Sequence, residues 1–304
     1  MNNLEWLWPH PQTLGRDGSF PAPTEINFTG CGLPGHLEPD FDRLKGIRRT
    51  ESPLAYTIRL SHEDAALGPE AYLLVLNPDG GHLSAGGQAG LAYGLQTLLQ
   101  VIVLSQGGTW PEVMIRDRPA FRKRAFMADL GRSVYPLPML KRIVRILHRL
   151  KMNQLHLHLY DDELCGLRFE GLPFGQDNPF ALSMDELAEL VRYARARQVE
   201  IVPELEAWGH VGSLVHHRKH LRGGEGMYRG SSFLVCEESF SLIREMVSQV
   251  AAVMPEKATI HLGLDEANWF PGPDMPEGFT PTDMVQRYYD LLQDVAAEQS
   301  KDLT

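Results

Sequence analysis

Short apolar runs and longer amphipathic stretches alternate through the second half of the chain. In the longer stretches, apolar residues recur every three or four positions, as in a helix that packs on one face. The short runs are predicted strands at Arg124–Asp129, Asn153–Leu159, Val199–Glu204 and Thr259–Leu264. Parallel strands are joined by helical crossovers of this kind. We therefore predict an α/β fold in this half and interpret it as about four strands of a TIM-type (β/α) barrel.

The first half of the chain shows a different pattern, in which strands surround one helix. Strands are predicted at Ala55–Leu60, Ala71–Leu76 and Val113–Ile115. The stretch Gly87–Leu104 is a predicted helix, because its leucines recur at spacings of three and four. We therefore expect a small α+β domain over residues 1–118. The N-terminal half of a (β/α)8 barrel follows it over residues 119–304.

Composition and charge argue against a disordered chain, a nucleic-acid-binding protein and a membrane protein. The chain of 304 residues is 43% hydrophobic, which is enough for buried cores and excludes wholesale disorder. Its formal net charge of −10 argues against a nucleic-acid partner, because affinity for a phosphate backbone depends on clustered cations. No run reaches the roughly 18 apolar residues of a membrane span, so we expect no membrane association. Cys31, Cys165 and Cys236 are odd in number and far apart, and we interpret them as reduced thiols of a cytoplasmic protein.

Ionisable residues follow all four predicted strands of the second half. They are Asp129 and Arg132 after the first strand, Asp161 to Glu163 after the second, Glu204, Glu206 and His210 around the end of the third, and Asp265 and Glu266 after the fourth. The carboxyl ends of barrel strands meet at one face, where barrel enzymes hold their catalytic groups. A single cluster of this kind is common on a solvated loop. Four clusters at the same end predict an active site.

Asp265 and Glu266 are adjacent where the fourth strand ends. Side chains alternate along a strand, so Asp265 shares a face with His261 and Gly263, and Glu266 starts on the other face. Because the backbone turns into a loop here, both carboxyls can still reach one pocket from different directions. This geometry suits one carboxyl that donates a proton and one that stays ionised. A solvent-facing acidic loop is the alternative interpretation.

His156 and His158 are two residues apart on the second strand and therefore point to one face. Such a pair on a barrel strand can bind a metal ion, as in metal-dependent hydrolases. The alternative is a pair of hydrogen-bonded interior histidines that orient carboxylates in the loops. We favour the second interpretation and expect neither a metal nor another cofactor.

The stretch Arg222–Gly230 contains four glycines together with charged residues. We interpret it as a mobile surface loop, because glycine clusters between periodic segments are typical of loops. Glycine content alone does not establish a role as a lid over the site.

Four motifs occur in this sequence in the same order as in one known family. They read DLGR at 129–132, HLHLYDD at 156–162, PELEAWGH at 203–210 and HLGLDE at 261–266. Together they resemble the D-x-x-R, H-x-H-L-x-D-D, P-E-[ILV]-[DE]-x-x-G-H and H-[IL]-G-G-D-E motifs of the family 20 glycoside hydrolases, the β-N-acetylhexosaminidases. The resemblance runs from about Glu70 to about Trp269, and the first half resembles the small α/β domain that often precedes this barrel.

The resemblance implies an exo-acting β-N-acetylhexosaminidase. Such an enzyme hydrolyses terminal N-acetyl-hexosamine residues by substrate-assisted retaining catalysis. Its implied partners are glycans that end in N-acetylglucosamine or N-acetylgalactosamine. The resemblance further implies that Glu266 is the general acid and later the base, and that Asp265 holds the acetamido N–H of the substrate.

Four more residues receive roles from the same resemblance. Asp161 and His210 would form a hydrogen-bonded relay to Glu266. Arg132 would bind sugar hydroxyls, which suits its fork of donors. Glu206 would bind the sugar or support the residues that do.

Three positions and the length depart from the family pattern. Leu264 stands where a second glycine is usual, Trp208 replaces a proline and Leu157 replaces a tryptophan, although none of these changes removes a catalytic group. A complete barrel takes about 250 residues, whereas only four strands are predicted here. We therefore expect that the chain lacks the C-terminal half of the barrel, or that a homo-oligomer or second chain completes it. A metal-dependent hydrolase that uses His156 and His158 and a non-catalytic sugar-binding fragment are the alternatives.

Overall fold

The computed structural model describes residues 4–105, 108–225 and 230–303. The described residues fall into two compact units. The N-terminal unit extends to Arg124 and also includes Arg145–Asn153 and Ala196–Gln198, and the C-terminal unit contains the other described residues. The domain boundary between residues 118 and 119 remains a prediction.

A mixed sheet of seven strands forms the centre of the N-terminal unit. Its strands are β1 (Thr13–Pro21), β2 (Glu25–Gly30), β3 (Arg48–Arg49), β4 (Tyr56–Ser61), β5 (Tyr72–Asn77), β6 (Gly80–Ala85) and β7 (Thr109–Asp117). Their spatial order is β1-β7-β5-β6-β4-β2-β3. Strands β5 and β6 form an antiparallel hairpin, whereas β4 pairs in parallel with β6 and β2. The helices are α1 (Glu38–Asp42) and α2 (Gln88–Leu104), and a 3₁₀ turn spans Leu4–Trp6.

Helix α2 packs against β5, β6 and β7. Leu91, Leu95 and Leu98 are buried, because their spacing places them on the helix face that meets the sheet. At Gly94 the helix approaches the sheet so closely that a Cβ atom would lie 2.4 Å from Cδ1 of Leu83. Glycine at this position therefore allows the helix and the sheet to share one core.

Four parallel strands form the main sheet of the C-terminal unit. In spatial order they are β8 (Ala125–Asp129), β9 (Gln154–His158), β10 (Glu200–Glu206) and β14 (His261–Gly263). Two smaller pairs are formed by β11 (Arg222–Glu225) with β12 (Ser231–Phe233) and by β13 (Lys257–Ala258) with β15 (Asp302–Leu303). The helices after β8 are α3 (Leu137–Arg149), α4 (Met184–Arg195), α5 (Gly212–Val215), α6 (Glu237–Val253) and α7 (Pro281–Glu298), and a 3₁₀ turn spans Lys219–Leu221.

All four strands predicted for the second half are present, because each is an apolar run of the kind that parallel sheets bury. The sequence pattern of the first half did not predict β1, β2, β3 or α1. Strand β1 carries Arg16, Asp17 and two glycines, so it shows neither an apolar run nor regular alternation. It is held instead by antiparallel pairing with β7, which is distant in sequence.

Two further predictions concern a surface loop at residues 222–230 and the absence of a membrane-spanning helix. In the predicted loop at 222–230, residues Arg222–Glu225 form β11 and pair with β12, whereas residues 226–229 lie outside the described residues. Among the described helices, none has both the length and the apolar character needed to cross a membrane.

Candidate active site

The carboxyl ends of β8, β9, β10 and β14 lie side by side. The strand register places Glu204 of β10 beside His158 of β9 and His261 of β14, and Asp129 of β8 beside His158. Parallel pairing therefore brings clusters that are distant in sequence into one polar region. We call the six residues singled out from the sequence the site residues: Arg132, Asp161, Glu206, His210, Asp265 and Glu266.

His210 connects a buried carboxylate to a partly exposed one. Its Nδ1 lies 3.3 Å from Oδ1 of Asp161, and its Nε2 lies 3.3 Å from Oε2 of Glu266. The Asp161 side chain is 1% exposed, whereas that of Glu266 is 36% exposed. An imidazole with a carboxyl group at each nitrogen can couple a proton transfer at one carboxyl to a proton transfer at the other. We call this chain of three side chains the Asp161–His210–Glu266 relay.

Asp161 is an ionised anchor for the relay. His158 donates from Nε2 to Oδ2 of Asp161 at 2.8 Å, and the backbone N–H of Asp162 donates to Oδ1 at 2.6 Å. Burial would raise the pKa of Asp161, but these donors and the charges of His210 and Arg132 hold that pKa below its ordinary value. The carboxylate can therefore orient His210 without taking up its proton.

Arg132 follows β8, and its guanidinium pairs with three carboxylates, those of Asp161, Asp129 and, at 3.8 Å, Glu163. Its Nη2 lies 2.7 Å from Oδ2 of Asp161, and its Nη1 lies 3.2 Å from Oδ2 of Asp129. Oδ1 of Asp129 accepts the backbone N–H groups of Gly131 and Arg132, which fixes the turn after the strand. About half of the Arg132 side chain is exposed. The structure thus joins Arg132 to the relay, a contact that the sequence analysis did not predict.

His158 lies between Asp161 and Glu204. Its Nδ1 donates to Oε2 of Glu204 at 2.7 Å, and Nε2 of His156 donates to the same oxygen at 3.1 Å. Burial lowers the pKa of His158, but the hydrogen bonds to both carboxylates outweigh it and raise this pKa to about 10. Burial would also raise the pKa of Glu204, yet the two histidines hold it well below its usual range. His158 is therefore an imidazolium that donates from both nitrogens.

Three sets of described residues bring potential metal ligands within 4.8 Å of one another: His156 with Glu204 and His261, His158 with Glu204 and Glu206, and Asp161 with Asp162 and His210. A histidine binds a metal ion only as the neutral imidazole. Because the carboxylates around His158 stabilise its protonated form, its surroundings favour hydrogen bonding over metal ligation.

Glu206 is almost as fully buried as Asp161, and its side chain is 2% exposed. Its Oε1 lies 3.6 Å from Nδ1 of His158, and its Oε2 has no hydrogen-bond partner among the described residues. Burial raises the pKa of Glu206 to about 9; the charges of Asp265 and Glu204 add to this effect, whereas that of His158 opposes it. Glu206 is therefore a protonated, buried carboxyl at neutral pH.

Gly263 makes room for this buried carboxyl. It lies on β14, and a Cβ atom at this position would be 2.2 Å from Oε2 of Glu206. Such a separation is far shorter than any van der Waals contact, so a side chain here would displace the carboxyl.

Asp265 and Glu266 follow β14 and converge on one imidazole. Oδ2 of Asp265 lies 4.0 Å from Nε2 of His210, compared with 3.3 Å for Oε2 of Glu266. The Asp265 side chain is 67% exposed, nearly twice as much as that of Glu266. The two adjacent carboxyls therefore differ in exposure and in reach, which is the asymmetry that two different tasks require.

Two members of the relay have left-handed backbone conformations. The φ angle is 51° at His210 and 48° at Glu266. Five non-glycine residues in the described part of the chain have positive φ, and two of them belong to the relay. This conformation costs a residue with a side chain about 1–2 kcal/mol. Strain of this kind persists where the surrounding structure holds it in place, often at active sites.

Asp162 supports the site although the sequence analysis gave it no role. Its Oδ1 accepts the backbone N–H groups of Gly212 and Ser231, each at 2.9 Å. These bonds fix the segment that follows His210. The pair of adjacent aspartates at 161–162 was the signal that could have identified it.

Two buried tyrosines hold the end of β10. Tyr160 donates its O–H to the carbonyl oxygen of Glu206 at 2.8 Å, and Tyr288 donates to that of Ala207 at 2.6 Å. Tyr288 lies on α7, far along the chain, so no local sequence pattern could have shown its contact.

Two family models match this chain. The model described as "Glycosyl hydrolase family 20, catalytic domain" matches residues 121–302, and "Glycosyl hydrolase family 20, domain 2" matches residues 7–118. The six site residues all lie within the first of these matches.

Curated relatives are similar over much of the chain. A beta-hexosaminidase of Akkermansia muciniphila is 33% identical over 208 residues, which cover 63% of this chain and 41% of that protein. A beta-N-acetylhexosaminidase of Cellulomonas fimi is 31% identical over 278 residues, which cover 82% of this chain and 54% of that protein. The chain thus spans about half the length of the curated relatives that it matches.

Solved structures share the fold. Flavobacterium johnsoniae chitobiase superposes with a TM-score of 0.80 at 22% identity, covering 100% of this chain and 52% of that one. The exo beta-N-acetylglucosaminidase from Vibrio harveyi, in complex with N-acetylglucosamine, gives 0.78 at 19% identity, covering 100% and 55%. These likenesses and the parallel sheet confirm the predicted fold class, a small N-terminal domain followed by part of a (β/α) barrel.

Proposed function

Because the chain belongs to glycosyl hydrolase family 20, we propose that it acts as an exo-acting β-N-acetylhexosaminidase. The substrates would be glycans that end in N-acetylglucosamine or N-acetylgalactosamine. The observation that carries this proposal is the Asp161–His210–Glu266 relay. It gives a partly exposed carboxyl the support that a group needs when it must donate a proton and later accept one.

Glu266 would be the acid and then the base of a substrate-assisted reaction. In the first step the acetamido oxygen of the substrate attacks the anomeric carbon, the glycosidic C–O bond breaks, and Glu266 protonates the departing oxygen. In the second step water attacks the anomeric carbon of the oxazolinium, the bond to the acetamido oxygen breaks, and Glu266 takes the proton from water. Two inversions at one carbon retain the β configuration.

The other site residues would act around this reaction. Asp265, the more exposed carboxyl, would accept the acetamido N–H and offset the positive charge of the oxazolinium. Arg132 would bind sugar hydroxyls with the exposed part of its guanidinium. Glu206 is buried, and we propose that it positions His158 and β14 rather than contacting the sugar.

The test of this function is hydrolysis of an aryl N-acetyl-β-glucosaminide by the chain and by the longest product of its gene. We expect Glu266→Gln to lower kcat by about 10²–10⁴-fold, because general acid–base catalysis contributes about that much. The matched control is Glu277→Gln, which makes the same change at an exposed position outside the site and should leave the rate unchanged.

Two outcomes would contradict the proposal. One is turnover that Glu266→Gln does not affect. The other is equal turnover of the corresponding glucoside, which lacks the acetamido group. Turnover that a chelator abolishes would favour the alternative, a metal-dependent hydrolase that uses His156 and His158.

We also propose that a second copy of this chain or another chain pairs with the main sheet of the C-terminal unit. Strands β8 and β14 are the edges of this sheet among the described residues, and exposed edges favour pairing with further strands. Cys31, Cys165 and Cys236 are free thiols. On that basis we propose a reducing, cytoplasmic location.

A further inference from the structure

A cationic cavity of about 350 Å³ lies in the N-terminal unit. Two histidines and four arginines line it: His36, His148, Arg43, Arg145, Arg149 and Arg197. Asp40 supplies the one carboxylate of the lining, and it lies 3.4 Å from Nη2 of Arg149. In a chain with a net charge of −10, this cavity concentrates charge of the opposite sign. It is separate from the site residues, and none of them lines it.

The two histidines present unsatisfied nitrogens within this lining. Nδ1 of His148 donates to the carbonyl oxygen of Arg197 at 2.7 Å, so Nε2 of the neutral ring carries a lone pair. His148 is 3% exposed, and its Nε2 has no hydrogen-bond partner among the described residues. Nε2 of His36 is also buried and also has no hydrogen-bond partner among the described residues. The centroids of the two imidazole rings are 5.2 Å apart. A buried polar atom without a partner is uncommon and calls for an explanation, which a ligand in this cavity would supply.

The surroundings explain why these rings are neutral. Burial and the positive charges of Arg197 and Arg149 together lower the pKa of His148 to about 4. Burial and the charge of Arg197 also lower the pKa of His36 to about 4, while Asp40 acts in the opposite direction. The cavity therefore has a positive potential that an anion would neutralise.

We propose that this cavity binds a tetrahedral oxyanion, a phosphate or sulfate group that is either free or carried by a sugar. Guanidinium groups pair with such oxygens in a two-pronged geometry, and several of them around one cavity suit the three or more oxygens of the group. The volume exceeds the needs of one anion and lies at the lower end of ligand pockets, so a small sugar phosphate fits the available space. This inference does not depend on the hydrolase activity.

Binding of the anion would be coupled to protonation. The neutral Nε2 of His148 is an acceptor and repels an oxyanion, whereas the protonated ring donates to it. The anion would therefore raise the pKa of His148 and draw a proton into the cavity. The charges of Arg149 and Arg197 act on the His148 ring, and those of Arg197 and Asp40 act on the neighbouring His36 ring. Arg43 and Arg145 also line the cavity, and Asp40 is the one carboxylate of the lining. Affinity should increase as the pH falls, by up to about tenfold per pH unit for one proton taken up.

The test is calorimetric titration of the full chain with sodium sulfate, whose charge does not change between pH 5.5 and 7.5. Ionic strength is held constant with sodium chloride. We expect saturable binding that is tighter at pH 5.5, with proton uptake shown by different heats in two buffers of unlike ionisation enthalpy. Absence of saturable binding at pH 5.5 would overturn the proposal, as would an affinity that does not change with pH.

Two variants locate the binding. Arg43→Gln removes one exposed cation of the lining and should weaken sulfate binding about tenfold or more, because charge-assisted hydrogen bonds are strong. Arg142→Gln is the matched control, since Arg142 is an exposed arginine of α3 that does not line the cavity. Equal weakening by both variants would indicate general charge attraction and overturn the site.

His148→Asn tests the proton coupling. The asparagine amide can still donate to the carbonyl oxygen of Arg197, but it has no group that takes up a proton. We expect the pH dependence of sulfate binding to be reduced while the chain stays folded. An unchanged pH dependence would assign the proton to another group and contradict the role of His148.

Titration with inorganic phosphate and with N-acetylglucosamine 6-phosphate distinguishes the two sources of the anion. Tenfold tighter binding of the sugar phosphate would support an anion carried by a sugar, whereas equal affinity would support a free anion. If neither compound competes with sulfate, the proposed site is wrong.

Discussion

At the scale of single residues, Gly263 determines whether Glu206 can hold its buried position. The carboxyl of Glu206 occupies the space that a Cβ atom would fill. We predict that Gly263→Ala lowers the free energy of unfolding by about 1–3 kcal/mol, because both backbones are held in a parallel pair and cannot separate freely. Urea denaturation measures this change.

Gly35→Ala is the control for that prediction. A Cβ atom at Gly35 would meet nothing within 4 Å, so its substitution should leave the free energy of unfolding nearly unchanged. Combining Gly263→Ala with Glu206→Ala should recover part of the loss. Equal stability of Gly263→Ala and the native chain would show that Glu206 is not fixed over Gly263.

At the scale of one element, β10 carries two carboxyls in opposite protonation states on the same face. Glu204 is ionised between two histidines, and Glu206 is protonated with a pKa of about 9. The unfolded chain loses the Glu206 proton near the ordinary value of 4.5. Between these two pH values the folded state holds one more proton, so the free energy of unfolding falls as the pH rises, by up to about 1.4 kcal/mol per unit.

His158 acts in the same direction over a higher window. Its stabilising contribution is complete below the unfolded pKa of about 6.5 and is lost as the pH rises through about 10. The two residues can be separated by Glu206→Gln, which keeps the shape of the side chain and cannot lose a proton. We predict that the stability of this variant relative to the native chain increases from pH 6 to pH 9 in urea titrations. Parallel stability curves would contradict the buried, protonated state of Glu206.

Elements differed in how far the sequence could predict them. The four strands β8, β9, β10 and β14 were found because each falls in a short, mostly apolar run between amphipathic helices. Strand β1 was missed because Arg16, Asp17 and two glycines interrupt its apolar pattern, whereas its pairing with β7 joins segments that are distant in sequence. A local sequence pattern indicates which side chains of a segment are buried. Which strand the segment pairs with depends on the whole fold.

The same distinction holds inside the site. The strand-end position of Asp265 and Glu266 follows from the alternation of strands and helices, and their task-specific roles come from a family resemblance. The sequence could not show that Arg132 contacts Asp161 or that Glu206 is buried over Gly263, because these contacts join different strands. The exposure and the protonation state of a side chain depend on such neighbours, so neither could be predicted from the sequence.

At the scale of the whole molecule, the edge strand β8 exposes apolar side chains. Phe126 is 44% exposed and Met127 is 51% exposed, one on each face of this strand. We predict that the chain self-associates through this edge, because unpaired edges with apolar side chains favour pairing with further strands. Light scattering after gel filtration should show a mass above 34.1 kDa that increases with concentration.

Phe126→Lys should shift this protein toward the monomer, because a charge at an edge strand opposes pairing. Phe121→Lys is the matched control, since Phe121 is 75% exposed and lies outside the strand. A monomer at every concentration, or equal effects of the two substitutions, would contradict association through β8.

The left-handed conformations of His210 and Glu266 have a consequence for how this protein evolves. Glycine adopts such conformations without steric cost, so selection for stability alone would favour glycine at both positions. A histidine and a glutamate stand there instead, and each keeps the strain of its backbone. A change to glycine at either position would therefore relieve backbone strain and remove a member of the relay at the same time, so stability and chemistry place opposite demands on these two residues.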